Sequence, residues 1–230
     1  MAKLSDPISV IAHQLKNPIA IVREYLEILK SEGMGQLNAK QLDYLNDAVK
    51  NIDQMKEIIS DLLDVSKVEG GVYKIKKAPT DLIKITEQII EEFKILAKSF
   101  NCEIVFEKPD KLPLALTDSE KIREVIENLI FNALRYKNVG AGRIEIKIHK
   151  KENNVIFSCK DRGVGIPNSD SKKIFSKFFR TSKALQIDPT GTGLGLYINK
   201  AIVKMSGGRI WFKNNKDKGA TFYFSLPIAK

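Results

Sequence analysis

Apolar residues recur at seven-residue intervals near the start of the chain, at Ile8, Leu15, Val22 and Leu29, with Ile11 and Tyr25 between them. That period belongs to an amphipathic helix whose seam packs on another helix. Asp6 before Pro7 reads as an N-cap followed by a first-turn proline, and Gly33 and Gly35 break the pattern. Asn38 is placed to cap a second helix, in which Leu42, Leu45, Val49, Ile52, Ile59 and Leu63 keep a similar heptad until Gly70 and Gly71 end it. Residues 1–70 therefore read as an antiparallel helical hairpin. Two such helices cannot bury both stripes against each other, so a homodimer completing a four-helix bundle is expected.

From residue 71 to 230 the period alternates between that of strands and that of helices, which makes the whole chain α+β with a second domain built as an α/β sandwich. Extended segments are expected at 72–77, 103–107 and 114–117, and helices at 82–100 and from Asp118, as cap, to about Tyr136. Ile144, Ile146 and Ile148 alternate inward in a strand over 143–149, whose hairpin partner is 154–160 across a turn at 151–153. A helix over 194–205 stops at Gly207 and Gly208, and strands 209–214 and 220–226 close the chain. Residues 167–192 carry no long periodic element, and a loop of that length in a compact domain is usually functional.

The composition narrows the class. No apolar run approaches the ~18 residues needed to span a bilayer, and residues 1–7 lack the apolar stretch of a secretory signal, so a cytoplasmic chain without membrane contact is expected. A membrane-anchored parent protein is compatible with this. Cys102 and Cys159 form no CxxC pair and suggest neither a disulfide nor a zinc site; Cys159 reads as a reduced core residue. The net charge of +10 comes from lysines scattered among glutamates rather than clustered with stacking aromatics, so no nucleic-acid partner is expected.

Two regions carry candidate chemistry. His13 falls opposite the heptad seam and should face solvent, with Asn17 one turn away on the same face and Pro18 crowding the carbonyl of Gln14. His149 shares a polar strand face with Glu145 and Lys147 and is assigned no chemistry. Further along, Asn128 and Asn132 lie four apart on one helix, Asp161-Arg162-Gly163-Val164-Gly165 follows a strand, and Gly191-Thr192-Gly193-Leu194-Gly195-Leu196 opens a helix. An asparagine carbonyl is a hard oxygen ligand suited to Mg²⁺, and glycines let backbone N–H groups approach phosphates at a helix N-terminus. Asp161 can accept a hydrogen bond from the exocyclic amine of adenine. A Walker A loop is absent.

In this order the motifs resemble the catalytic core of bacterial sensor histidine kinases of two-component systems. Such a core joins a dimerisation and histidine-phosphotransfer hairpin to a Bergerat-type ATP-binding domain of the gyrase, Hsp90, histidine kinase and MutL superfamily. The resemblance implies an ATP- and Mg²⁺-dependent kinase that phosphorylates His13 and passes the group to an aspartate of a response regulator, with Asn17 supporting removal of phosphate from that regulator. It implies that Asn128, Asn132, Arg135 and Tyr136 form the N box, with Asn132 on Mg²⁺ and Arg135 where the family usually has lysine. Asp161, Gly163 and Gly165 match the first glycine box, with Asp161 on adenine. Phe175, Phe178 and Phe179 resemble the F box, with Lys177 beside the nucleotide and Arg180 reaching the terminal phosphate. Gly191, Thr192, Gly193, Leu194 and Gly195 form the second glycine box, and the intervening loop is the ATP lid.

Two positions modulate that picture. ATP-hydrolysing relatives place a glutamate base four residues before the metal-binding asparagine, and here that position is Asn128, which favours a kinase over an ATPase. The family commonly has an acidic residue after the histidine, whereas this chain has Gln14, whose carbonyl orients an imidazole N–H but takes up no proton at neutral pH. Slowed autophosphorylation follows, with an ATP-binding signalling phosphatase or docking scaffold as the alternative.

Overall fold

The computed structural model describes residues 5–31, 35–138, 140 and 142–229, with the backbone alone at 5–10 and 13. The chain divides into two compact units, one ending at Tyr73 and the other beginning at Lys74.

The first unit is the expected antiparallel hairpin. Helix α1 (Ser5–Lys30) runs unbroken through Pro18, and helix α2 (Ala39–Gly70) follows. The chain is already helical at Ser5, the first described residue, so Asp6 lies within α1 rather than capping it, and the helix reaches at least two residues ahead of Pro7. Asn38 caps α2 in a reciprocal capping box: its side chain accepts from the Gln41 N–H at 2.9 Å, and the Gln41 side chain accepts from the Asn38 N–H at 2.9 Å. Gly71 ends α2 in the left-handed conformation at φ 70°, which glycine adopts without a Cβ penalty. Arg23 Nε pairs with Asp53 at 2.8 Å and Lys30 Nζ donates to Asn46 at 3.0 Å, fastening the two helices along their polar flanks.

The interior of the hairpin is thin. Ala12, Ile52, Ile59 and Val65 are buried, while the heptad residues Leu15, Val22 and Leu29 remain 45%, 44% and 42% exposed. Ile11, Ile21, Tyr25, Ile28 and Leu42 are exposed as well. One copy of the hairpin thus leaves much of its seam in water, at a cost of roughly 25 cal/mol for each Å² of apolar surface.

The second unit holds a five-stranded sheet in the order β2-β4-β5-β7-β6, formed by β2 (Cys102–Glu107), β4 (Gly142–Lys151), β5 (Asn154–Lys160), β6 (Arg209–Asn214) and β7 (Ala220–Pro227). β2 and β4 run parallel, and the other neighbours are antiparallel. Helices α3 (Leu82–Ser99), α4 (Ser119–Arg135) and α6 (Gly195–Met205) cover one face. The strand period places Ile144, Ile146 and Ile148 on that face with Val155, Phe157 and Phe224, all at most 2% exposed, and the rings of Phe157 and Phe224 stack at 4.8 Å. Cys159 is a free thiol in this core, as expected, and burial pushes it far above the ordinary thiol range. The opposite face carries ion pairs such as Lys147 with Glu107 at 2.7 Å, and the stacked pair Trp211 and Tyr223.

Residues 72–77 are not a strand. They run without a sheet partner, Val72 is exposed, and only β1 (Ala78–Thr80) pairs, antiparallel to β3 (Ala115–Thr117). Alternation alone marks an extended segment, and a ladder also requires a neighbouring edge. Asp118 caps α4 through the N–H groups of Glu120 and Lys121, and its other oxygen accepts the Lys76 N–H at 2.9 Å. Between β5 and α6 the chain forms a short 3₁₀ turn, Asn168–Asp170, and a six-residue helix α5, Ser182–Ile187.

Candidate functional site

The nucleotide-type motifs converge at one end of the sheet. Asn128 and Asn132 occupy successive turns of α4, and Asn132 Nδ2 donates to Asn128 Oδ1 at 2.6 Å. This bond orients the Asn132 amide so that its own carbonyl oxygen remains as an acceptor. A Cβ at Gly195 would lie 2.2 Å from Asn128 Nδ2, so only glycine lets the start of α6 approach the asparagine pair.

Asp161, at the end of β5, is 9% exposed. Its Oδ1 accepts the N–H groups of Gly163 at 2.7 Å and Ala220 at 3.1 Å. Burial raises the carboxyl above the usual aspartate range, and the hydrogen bonds from Gly163 and Ala220 counter only part of that rise. With both bonds on Oδ1, Oδ2 is the oxygen positioned for a further donor. The glycine loop after Asp161 is fastened on both sides. Asn138 Nδ2 donates to the carbonyls of Arg162 and Gly163 at 2.8 and 3.0 Å, and Asn215 Nδ2 donates to that of Asp161 at 2.8 Å. Asn214 closes the ring through Ile166, accepting its N–H at 3.0 Å and donating to its carbonyl at 2.7 Å. Gly163 sits where a Cβ would meet the Tyr136 carbonyl at 2.4 Å, and the Tyr136 carbonyl in turn accepts the Val164 N–H at 3.1 Å. Tyr136 thus serves the loop through its backbone as the C-cap of α4.

The second glycine box packs against the base of the lid. Gly193 takes φ 70° beside the backbone of Phe178 and Phe179, and Phe178 itself has φ 60° while 62% exposed, an uncommon conformation for a bulky side chain. Thr192 Oγ1 accepts the Leu194 N–H at 3.2 Å, and Leu194 is buried at the start of α6. Lys177 Nζ lies 5.9 Å from the centre of the Tyr197 ring. Arg180 does not project outward: Nη1 donates to the Gly191 carbonyl at 2.8 Å, and Nη2 to the carbonyls of Ala184, at 2.9 Å, and Asp188. In this conformation Arg180 braces the lid backbone, which occupies the guanidinium that the terminal-phosphate expectation requires. Arg135 Nη1 bonds Asp188 Oδ2 at 2.7 Å and its guanidinium stacks 4.4 Å from the Phe131 ring centre.

On α1, Gln14, Asn17 and Pro18 are exposed next to the buried Ala12. His13 lies in the helical backbone of α1, and its side chain falls outside the described residues. Among the described residues no cluster of His, Cys, Asp and Glu is placed to hold a metal, and no helix is long and apolar enough to cross a membrane. Asn138, Asn214, Asn215, Gly219 and Asp188 were not singled out by motif spacing. A Cβ at Gly219, φ 82°, would lie 2.3 Å from the Asp161 carbonyl, so this glycine admits the β6–β7 turn beneath the site. Its only sequence signal was its place between the strands expected at 209–214 and 220–226.

Residues 3–71 match the family model of the His Kinase A phospho-acceptor domain, and residues 117–230 match that of the histidine kinase-, DNA gyrase B- and HSP90-like ATPase. With both domains in one chain, the protein belongs to the histidine kinase family. It is 33% identical over 218 residues to the sensor histidine kinase WalK of Bacillus subtilis, covering 94% of this chain and 35% of WalK. To the adaptive-response sensory kinase SasA of a Synechocystis strain it is 30% identical over 225 residues, covering 96% of this chain and 58% of SasA. The chain thus spans only part of the curated relatives it matches. Its fold matches full-length ShkA in complex with AMPPNP at a TM-score of 0.82 and 23% identity, over 98% of this chain and 46% of that one. The histidine kinase ThkA, solved with the response regulator protein TrrA, matches at a TM-score of 0.67 and 25% identity, over 95% of this chain and 60% of that one.

Proposed function

We propose that the chain is an ATP-dependent protein-histidine kinase core. Residues 1–70 act as the dimeric phospho-acceptor hairpin and 71–230 as the ATP-binding domain. The observation that carries this reading is the amide pair at the site. The position where hydrolytic relatives have a carboxylate base is Asn128, locked to Asn132 at 2.6 Å. An amide takes no proton from water, so bound ATP persists until another nucleophile attacks. The half-exposed seam of the hairpin supports its pairing with a second copy.

In this mechanism Asp161 Oδ2 accepts from the adenine amine, and the backbone N–H groups of the second glycine box hold the phosphates at the start of α6. The carbonyl oxygen of Asn132 fits a hard cation, and Mg²⁺ held there would neutralise charge on the phosphates. An imidazole nitrogen of His13 attacks the γ-phosphorus, forming the N–P bond as the bond to the β,γ-bridging oxygen breaks. ADP leaves with that electron pair, and the imidazole proton goes to solvent because Gln14 accepts none at neutral pH. The phosphoryl group then passes to an aspartate of a response regulator. The ThkA complex with TrrA supports this kind of partner for the present chain. This reading has the core work in the cytoplasm, where ATP is supplied.

Gln14 favours a second reading, in which the chain binds ATP and acts as a phosphatase or docking scaffold with Asn17 serving the regulator. The test is to load the chain with γ-labelled ATP and Mg²⁺, remove free nucleotide and add receiver domains one at a time. A kinase loses label to one receiver. A chain that takes no label but speeds loss of phosphate from a prephosphorylated receiver supports the phosphatase reading.

A further inference from the structure

Two guanidiniums at the edge of the second glycine box are already engaged by an anion of the chain itself. Asp188 Oδ2 accepts from Arg135 Nη1 at 2.7 Å and lies 3.8 Å from Arg180 Nη2, while its Oδ1 accepts the Thr190 N–H at 2.9 Å and O–H at 2.6 Å. Both arginines come from different elements, α4 and the base of the lid, so one carboxylate ties the lid to the helix that carries the asparagine pair. The cluster touches the glycine box directly: a Cβ at Gly191 would meet Asp188 Oδ2 at 3.1 Å and Arg180 Cζ at 3.2 Å. Burial works to raise the Asp188 carboxyl, but the Thr190 hydrogen bonds and the two arginine charges outweigh it, and the group is held below the usual aspartate range. It is therefore an anion at any physiological pH.

We infer that Asp188 is a positioning residue that stands in for nucleotide phosphate, holding the Arg135 guanidinium beside the second glycine box until a triphosphate takes it over. The inference rests on the ATP-binding reading of the site. Arg135 suits this exchange because its planar fork matches carboxylate and phosphate oxygens alike, and its stacking on Phe131 keeps it aimed after Asp188 lets go. Arg180 stays where it is, because three backbone carbonyls hold it independently of the Asp188 side chain. The clasp competes with ATP, so affinity is lower than the bare site would give, and the lid is released from α4 only when phosphate is present.

Asp188→Asn tests this, because the amide keeps an acceptor for Thr190 and the backbone carbonyl for Arg180 while removing the charge. Titration calorimetry with Mg²⁺-ATP should show about 2- to 5-fold tighter binding than in the parent chain, the size set by freeing one partly buried ion pair. Adenosine, which carries no phosphate, should bind both equally. In an Arg135→Gln background the same change should leave ATP affinity unaltered. Asp188→Ser is the second uncharged variant should the first fold poorly. Unchanged or weaker ATP binding in Asp188→Asn, or tightening that persists without Arg135, would overturn the inference. Failure of the parent chain to bind either ATP or adenosine would instead overturn the reading of the site.

Discussion

Replacing Asp161 by asparagine separates what this residue does for the fold from what it does for a nucleotide. The side chain is nearly buried, and its Oδ1 holds the Gly163 and Ala220 N–H groups at 2.7 and 3.1 Å. The asparagine carbonyl can keep both bonds. Since the folded protein raises this carboxyl, the protonated form is the one it favours: the associated stability is present below the ordinary aspartate pKa and lost as pH rises through the raised value. Asparagine mimics the protonated form, so Asp161→Asn should melt no lower than the parent chain at pH 7. The difference between the two should shrink as pH falls below the ordinary aspartate range.

For binding, the substitution replaces a charged acceptor by an N–H donor that faces the adenine amine. Loss of a hydrogen bond to a charged group costs about 1.5–3 kcal/mol. That corresponds to roughly 10- to 150-fold weaker ATP binding at one decade per 1.36 kcal/mol. Calorimetric titration with ATP, alongside thermal melts across pH, measures both effects. ATP affinity within twofold of the parent in a fully folded variant would refute the assignment of Asp161 to adenine.

Gly195→Ala places a Cβ 2.2 Å from Asn128 Nδ2 and should push that side chain off Asn132, lowering ATP affinity about 10-fold or more by calorimetry, with a melting cost of roughly 1–3 kcal/mol for overpacking. Gln14→Glu supplies a proton acceptor beside His13 and should raise the rate of label incorporation from γ-labelled ATP, by up to ~10²-fold. An unchanged or lower rate would remove Gln14 as the reason for slow transfer.

What the sequence disclosed and withheld follows from the range of the forces involved. The strand at 143–149 was legible because Ile144, Ile146 and Ile148 alternate inward along it, and the hairpin because its heptads are long. Asn128, Asn132, Asp161 and the second glycine box were legible as motifs because they lie close in sequence within each box. Residues 72–77 share the alternation of a strand but find no sheet edge, a fact that depends on the packing of other elements. The parallel pairing of β2 with β4 joins segments separated by α4 and was equally invisible. Gly219 and Asp188 act on residues tens of positions away, Asp161 and Arg135, and nothing local to them marks that reach. The bonds that hold Arg180 in this conformation were hidden for the same reason. Its partners are lid carbonyls, and backbone acceptors leave no trace in residue identity.

The central claim is that the ATP held between the asparagine pair and the glycine boxes phosphorylates His13. Its most direct test is incubation of the purified chain and of His13→Ala with Mg²⁺ and γ-labelled ATP, scoring label that acid removes and base does not. The account predicts such label on the parent chain and none on the variant, with equal ATP binding by both. Equal labelling of the two, or no label on a parent chain that binds ATP, would contradict it.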